Sequence, residues 1–344
     1  MMPRDFSGSR FRLPGSLRVV RCAIALVLVM AAQGCVLVTA DLDPFSREAK
    51  PLTEHVVAGE GNDKILLVDI TRIISDETER GLFGNERESV VARVVAELEL
   101  ARADDKIKGL VVRINTPGGT VTASDVIYHR LMQFKAERQV PIVAHLMDIA
   151  TSGGYYVSLA ADEIVAHPTT VTGSVGVVFQ SISLAELLEK IGVTNQTIKS
   201  GAMKDIGSPL RTMTPAERAV LESVIADMQS RFFGLVRQRR PQLNDADAAR
   251  IADGRILAAP QALDAHLIDE IGYLDDSVGR VEQRAGLSQA RLIIYRRAGE
   301  SADTAFSTAA ARTSATAPVN VIEMGLDRIL RTPQFLYLWM PGAL

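Results

Sequence analysis

The stretch IKGLVVRINTPGGTVTASDVIYHRLMQFKAERQ, residues 107–139, changes its hydrophobic pattern halfway along. Residues 107–115 are an almost continuous apolar run, which is typical of a strand buried on both faces of a parallel sheet. After the Pro-Gly-Gly sequence at 117–119, apolar residues recur at helical spacing. The stretch therefore predicts a strand, a glycine turn and a helix over 121–139.

The same alternation is found on both sides of that stretch. Apolar runs at 64–70, 140–146 and 163–168 predict three further strands, and ESVVARVVAELELARAD at 88–104 predicts a helix. Strands that alternate with helices predict an α/β fold with a mainly parallel sheet and helices on both faces. A helix that begins at Thr214, in the sequence TPAE, predicts a helical C-terminal part.

Composition excludes several classes of function. The 344 residues are 47% hydrophobic and carry a net charge of -3, with acidic and basic side chains mixed along the chain. That balance argues against a nucleic-acid-binding protein. Both cysteines lie near the N-terminus, and the five histidines show no metal-ligand spacing, so we expect no metal or other cofactor.

The first 40 residues predict a signal, lipoprotein or membrane-anchor segment. Five arginines precede an apolar core, namely Arg4, Arg10, Arg12, Arg18 and Arg21. AAQGC at 31–35 is similar to the lipobox of bacterial lipoproteins, which makes Cys35 a candidate for lipidation; a retained transmembrane helix is the alternative. Both interpretations attach the chain to a membrane and place the rest on the extracytoplasmic (periplasmic) side.

The remainder of the chain divides by composition. We expect a folded domain over 60–297 and a flexible linker rich in Ala, Ser and Thr over 298–318. The segment 319–344 contains the single tryptophan, Trp339, and predicts a tail helix.

Ser152, in TSGG, begins the predicted helix that follows the strand at 140–146. Its hydroxyl could cap the helix, or it could be a nucleophile that the free amides of Gly153 and Gly154 stabilise. Gly118 and Gly119 likewise form either a plain turn or a donor site for an oxyanion. Taken alone, each motif favours the plain structural interpretation.

A serine nucleophile needs a base. His145 lies within a strand and His167 precedes Pro168, so both are interpreted as packed side chains. A lysine can serve as the base where burial and neighbouring donors favour its neutral form. Lys204, in GAMKDIGSP, lies among small and apolar residues, although alone it would be an ordinary loop lysine.

Together these motifs resemble the bacterial signal peptide peptidase family, serine/lysine peptidases of the Clp protease/crotonase superfamily, over about residues 64–280. The resemblance of TSGGYYVSLAAD implies that Ser152 is the nucleophile, and that of SGAMKDIGSP implies that Lys204 is the general base. NTPGG implies that the amides of Gly119 and Gly153 form the oxyanion hole. TGSVGV implies that Ser174 orients the lysine.

The resemblance also implies a Clp protease/crotonase-like fold and a membrane-attached serine endopeptidase that degrades cleaved signal peptides and other small unfolded polypeptides. In short members the subunits form a ring or dome, octameric in some, and the serine/lysine dyad is completed between subunits. The chain departs from the family pattern in GRILAAPQALDAHLIDEIG at 254–272. A crotonase-like acyl-CoA enzyme and a non-catalytic assembly or scaffold protein are the alternatives.

Overall fold

Eight helices and fourteen strands are formed by the residues that the computed structural model describes, which are 50–80, 86–307 and 334–339. The strands are β1 (Leu52–Ala58), β2 (Lys64–Thr71), β3 (Glu79–Arg80), β4 (Glu86–Arg87), β5 (Ile107–Thr116), β6 (Gly118–Thr120), β7 (Ile142–Thr151), β8 (Glu163–Ala166), β9 (Val171–Gly173), β10 (Val178–Phe179), β11 (Ile256–Ala258), β12 (Glu270–Ile271), β13 (Arg291–Arg297) and β14 (Phe335–Leu338). The helices are α1 (Val90–Arg102), α2 (Val121–Arg138), α3 (Gly153–Ser158), α4 (Ala185–Lys190), α5 (Pro215–Arg239), α6 (Asp245–Ile251), α7 (Ala259–Asp264) and α8 (Leu274–Ala285).

The main sheet has the strand order β1-β13-β2-β5-β7-β8-β12 and runs parallel from β13 to β12. Successive side chains of β2 alternate between two cores, because strand residues point to opposite faces: Leu66 and Val68 lie in one, Ile65 and Leu67 in the other. Helices α1, α2 and α5 contribute to the first core, and α8 contributes to the second. The predicted α/β fold, with a mainly parallel sheet and helices on both faces, is confirmed.

The helices predicted from sequence begin where local capping groups start them. Ser89 precedes α1, and its hydroxyl accepts a hydrogen bond from the amide of Ala92. Thr214 precedes α5 in a complete capping box with Glu217, and Pro215 is the first helical residue. These starts depend on neighbours in sequence, which is why the sequence indicates them.

The C-terminal tail differs from its predicted helix. Within 319–344 the structure describes residues 334–339, and Phe335–Leu338 form strand β14. This strand lies between β6 and β10 in a small antiparallel sheet, so its backbone groups pair with those strands and not along a helix. The rest of the predicted tail helix lies outside the described residues, as do the N-terminal segment 1–40 and Cys35.

The boundaries of the domain also differ from prediction. The predicted start at 60 is too late, because β1 pairs antiparallel with β13 along the edge of the sheet. The linker predicted from 298 is wrong for 301–307, where the guanidinium of Arg113 donates to the carbonyls of Ala305 and Ser307. Among the described helices, none is long and apolar enough to cross a bilayer.

Candidate active site

Ser152 lies at the junction between β7 and α3, at the carboxyl end of a central parallel strand. Its backbone adopts φ 53° and ψ −112°, and its side chain makes no cap hydrogen bond to the helix. The residue is 1% exposed, and its Oγ has no hydrogen-bond partner among the described residues. A non-glycine residue in such a conformation costs about 1–3 kcal/mol, which surrounding structure must offset. Ser152 therefore occupies the N-cap position without capping through its side chain.

Two backbone hydrogen bonds hold the turn at Ser152. Its amide donates to the carbonyl of Gly173 at 2.8 Å, and its carbonyl accepts from the amide of Tyr156 at 2.8 Å. The first bond continues the pairing of β7 with β9, which aligns Thr151 with Gly173. Ser174, the next residue, is buried and has φ 54°. The structure thus brings Ser174 to the same junction as Ser152.

Gly119 and Gly153 lie beside Ser152, and neither position has room for a side chain. A Cβ on Gly119 would stand 1.9 Å from the carbonyl oxygen of Ile74, and one on Gly153 would stand 2.4 Å from Oγ of Ser124. The amide nitrogen of Gly119 lies 3.2 Å from that same Gly153 Cβ position. The two amides that the resemblance assigns to the oxyanion hole are therefore neighbours in the structure.

Lys204 is not brought to Ser152 within this chain. It is exposed, in a turn where its amide donates to the carbonyl of Gly201 at 3.1 Å. Because Oγ of Ser152 is buried without a partner, Nζ of Lys204 is not within hydrogen-bond distance of it. The structure assembles the serine, the two glycines and Ser174, but leaves the lysine apart.

An ion-pair network that the sequence reasoning missed fixes the turn bearing Lys204. Asp205 accepts hydrogen bonds from Lys199 at 2.6 Å and from Nε of Arg211 at 2.8 Å. Arg211 also donates to Glu217, the capping-box residue of α5. The bonds from Arg211 and Lys199 hold the pKa of Asp205 well below its ordinary value. The sequence feature that could have indicated this network is the aspartate in SGAMKD, which directly follows Lys204.

His145 is a packed side chain, as its position in a strand predicts. It is fully buried, and its Nδ1 lies 2.8 Å from Oγ of Ser277 on α8. Burial lowers the pKa of His145 from 6.5 to about 4. The imidazole therefore stays neutral in the folded chain at pH values where it is protonated in the unfolded chain.

The lower pKa of His145 in the folded chain predicts that the free energy of unfolding falls as the pH is lowered. The contribution of His145 is complete above pH 6.5 and is lost as pH falls toward 4, because the unfolded state then binds the additional proton. Between about pH 7.5 and pH 5 the loss is about 2 kcal/mol in the free energy of unfolding. His145→Asn, which can still reach Ser277, should reduce this pH dependence by that amount in urea titrations. An unaltered slope in His145→Asn would contradict the assignment.

Two protein families and several known proteins are similar to this chain over the residues that form the candidate site. The family model of peptidase family S49 matches residues 135–288, and that of Clp protease matches residues 64–172. An Enterococcus faecium protein named "Putative signal peptide peptidase SppA" is 33% identical over 244 residues, which are 71% of this chain and 70% of that protein. This chain belongs to peptidase family S49.

Two further relatives are longer than the chain. "Protease 4" of Salmonella typhi is 34% identical over 203 residues, which are 58% of this chain and 32% of that protein. "Serine protease SPPA, chloroplastic" of Arabidopsis thaliana is 31% identical over 229 residues, or 66% and 33%. The chain therefore spans about a third of the length of these two relatives.

Membership of family S49 decides between the enzyme classes that the sequence left open. The chain is a serine peptidase with a Clp protease-like fold, and not an acyl-CoA enzyme. Both matched ranges include Ser152; the S49 range also includes Lys204, and the Clp protease range includes Gly119. The described geometry of Ser152 and the two glycines is thus located in the part of the chain that is similar to peptidases.

Proposed function

We propose that this S49 peptidase is a membrane-attached endopeptidase that uses a Ser152/Lys204 dyad to degrade cleaved signal peptides and other small unfolded polypeptides. The observation that carries the proposal is the Ser152 hydroxyl, which is buried on a strained backbone beside Gly119 and Gly153 and has no partner within residues 50–80, 86–307 and 334–339. An unpaired buried hydroxyl costs about 1–3 kcal/mol in a purely structural role. A catalytic role accounts for that cost, because the hydroxyl of a nucleophile gains its hydrogen-bond partner only when the base and the substrate are in place.

The base comes, on this proposal, from a second copy of the chain. Lys204 is exposed, and the next residue in its turn, Asp205, forms an ion pair with Arg211. The surrounding segment exposes an unusual number of large apolar side chains, which are Val178, Leu187, Ile191, Val193, Ile198, Met203 and Leu210. Apolar side chains exposed together mark a surface that another protein covers. We therefore place the dyad at an interface between copies in a ring or dome, with Ser174 orienting the lysine.

The chemistry follows from these placements. Neutral Lys204 takes the proton of the Ser152 hydroxyl as Oγ attacks the carbonyl carbon of the peptide bond. The oxyanion accepts hydrogen bonds from the amides of Gly119 and Gly153, and each such donor is worth about 3–4 kcal/mol of barrier. The proton then passes to the leaving amine as the C–N bond breaks. Water, deprotonated by Lys204, attacks the acyl-enzyme and releases the acid and free Ser152.

Attachment and substrate class are part of the same proposal. The basic, apolar segment 1–40 supports attachment through Cys35 or through a retained helix, with the peptidase domain on the periplasmic side. The name of the Enterococcus faecium relative supports signal peptides as substrates.

A complementation experiment tests the shared dyad. Ser152→Ala and Lys204→Ala chains are each expected to lose nearly all cleavage of an unfolded peptide, because each lacks one half of the dyad. When the two are co-expressed with different tags and purified through both, about a quarter of the interfaces in a symmetric ring pair an intact serine with an intact lysine. Mixed assemblies should therefore recover about a quarter of wild-type activity.

The matched control is Lys106→Ala, which removes an exposed lysine just before β5, outside the apolar segment, and should leave activity unchanged. If the mixed assemblies stay as inactive as the parents, the dyad is not shared between copies. Wild-type activity in Lys204→Ala would remove Lys204 from the mechanism.

A further inference from the structure

The hydroxyl of Thr116 joins the turn that carries Gly119 to the loop that follows strand β2. Thr116 is the last residue of β5 and is 1% exposed. Its Oγ1 accepts a hydrogen bond from the amide of Gly118 at 3.1 Å and donates one to the carbonyl of Arg72. The carbonyl of Gly118 lies 3.1 Å from the same oxygen but already accepts from the amide of Ile74. The single proton of the hydroxyl therefore goes to the nearer acceptor, Arg72.

The backbone of this turn needs a side chain to satisfy it. Pro117 has no N–H group, and Gly118 has φ 108°, a conformation that residues with a side chain rarely adopt. Gly118 is buried, and a threonine hydroxyl two residues earlier in the chain is a common acceptor for the amide of such a turn. A methyl group in place of the hydroxyl would leave the amide without that partner, which is costly in a buried position. We expect the turn to shift in that case.

Backbone hydrogen bonds hold the other side of the turn. The amide of Thr120 donates to the carbonyl of Ile74 at 2.9 Å, and the amide of Ile74 donates to the carbonyl of Gly118 at 2.8 Å. Since successive backbone amides of a strand point to opposite sides, the amide of Gly119 faces away from Ile74. The loop after β2 thus holds the turn both before and after Gly119.

The methyl group of Thr116 lies against the helix that follows Ser152. A Cβ on Gly154 would stand 2.8 Å from Cγ2 of Thr116 and 3.2 Å from its carbonyl oxygen. The residue before Gly154 is Gly153, whose amide is the second donor of the proposed oxyanion hole. Thr116 therefore contacts both halves of the hole, with its hydroxyl on the turn of Gly119 and its methyl group on helix α3.

We propose that Thr116 is a positioning residue of the peptidase, which sets the spacing between the amides of Gly119 and Gly153. The inference rests on the proposed function, because it concerns the oxyanion hole of the same site. Thr116 acts on the transition state and not on the binding of substrate, since the oxyanion exists only after Ser152 has attacked.

Removal of the hydroxyl without a change of shape tests the inference. Thr116→Val keeps the branched side chain and loses the bonds of the hydroxyl. It should lower kcat for an unfolded peptide about 10- to 100-fold and change KM less than about 2-fold, since a misplaced oxyanion donor affects the transition state alone. Thr116→Ser restores the hydroxyl and should return kcat to within about 3-fold of wild type. The rates are measured on the full-length chain and referred to its folded fraction, which circular dichroism determines.

Thr170→Val is the matched control. Thr170 is also buried, and its hydroxyl donates to the carbonyls of Leu146 and Met147 at 2.8 Å and 2.6 Å. The change should lower stability as Thr116→Val does, because it also removes a bonded buried hydroxyl. It should leave kcat unchanged, because both bonds go to β7 and not to the turn that carries Gly119.

A second pair of variants keeps the test decisive if valine disturbs the packing. Thr116→Ala and Thr116→Ser differ in the hydroxyl alone, so alanine should have a kcat at least about 10-fold below that of serine. Equal kcat within this pair, or a loss in Thr116→Val that lies in KM, would overturn the inference. Failure of both hydroxyl-free variants to fold would also overturn it, since Thr116 would then serve stability alone. Wild-type kcat in Ser152→Ala would instead overturn the proposed function, whatever the variants at position 116 show.

Discussion

Ser152→Ala is expected to abolish peptide cleavage and, at the same time, to raise the stability of the chain. Loss of a serine nucleophile lowers kcat by about 10⁴- to 10⁶-fold. The same change removes a buried hydroxyl that has no hydrogen-bond partner in the described part of the chain, which should raise the free energy of unfolding by about 1 kcal/mol. Ser152→Gly should add to this, since glycine adopts φ 53° without strain. Cleavage assays and urea denaturation measure the two effects separately.

Ser89 is the matched control, because it also precedes a helix but caps it through its hydroxyl. Ser89→Ala should lower the free energy of unfolding by about 1 kcal/mol and leave cleavage intact. The two variants are thus expected to change the free energy of unfolding in opposite directions, and only Ser152→Ala is expected to lose cleavage. A loss of stability in Ser152→Ala like that in Ser89→Ala would indicate a structural cap. Cleavage that persists in Ser152→Ala would remove Ser152 from the mechanism. A cellular activity that survives the change would favour the scaffold alternative.

The sequence was sufficient to predict those strands and helices that depend on near neighbours in the chain. The apolar runs that became β2, β5, β7 and β8 and the caps of α1 and α5 are local features, and the structure follows them closely. Strand β1 was missed because most of its side chains are exposed and its pairing partner, β13, lies more than 200 residues away. Strand β14 was predicted as a helix for a similar reason, since only the edges of β6 and β10 make it a strand.

Some features of the candidate site were likewise predictable from local sequence, and others were not. Gly119, Gly153 and Ser174 were indicated by motifs, and the structure gathers them around Ser152. The positive φ of Ser152 was not predictable from TSGG, because it depends on the pairing of β7 with β9. Lys204 lies apart from Ser152 within the chain, and the dyad that we propose would require a second copy. The ring of Tyr337 in β14 lies 4.7 Å from that of Phe232 in α5, a contact between segments that are distant in sequence, so no local motif indicates it.

Asp69→Asn is expected to be strongly destabilising although it lies outside the site. The Asp69 carboxylate is buried beneath residues 301–307 and accepts hydrogen bonds from Arg113 and Arg296, each at 2.7 Å. Both guanidiniums are also buried, so water does not replace the lost charge. Breaking such a buried pair typically costs about 3–5 kcal/mol, which is a large share of the stability of an ordinary domain.

The reason for the large effect is that one carboxylate neutralises two cations. Arg296 directs its other N–H groups to the carbonyls of Tyr295, Ser301 and Ser307, which carry only partial charge. Asn at position 69 would keep the shape but place an amide where a full negative charge stood. Urea denaturation should show a lower midpoint with an unchanged slope. Asp253→Asn, which breaks an exposed pair with Arg255, is the control and should lie within the scatter of replicates. A loss below about 1 kcal/mol in Asp69→Asn would mean that solvent screens the cluster despite its burial.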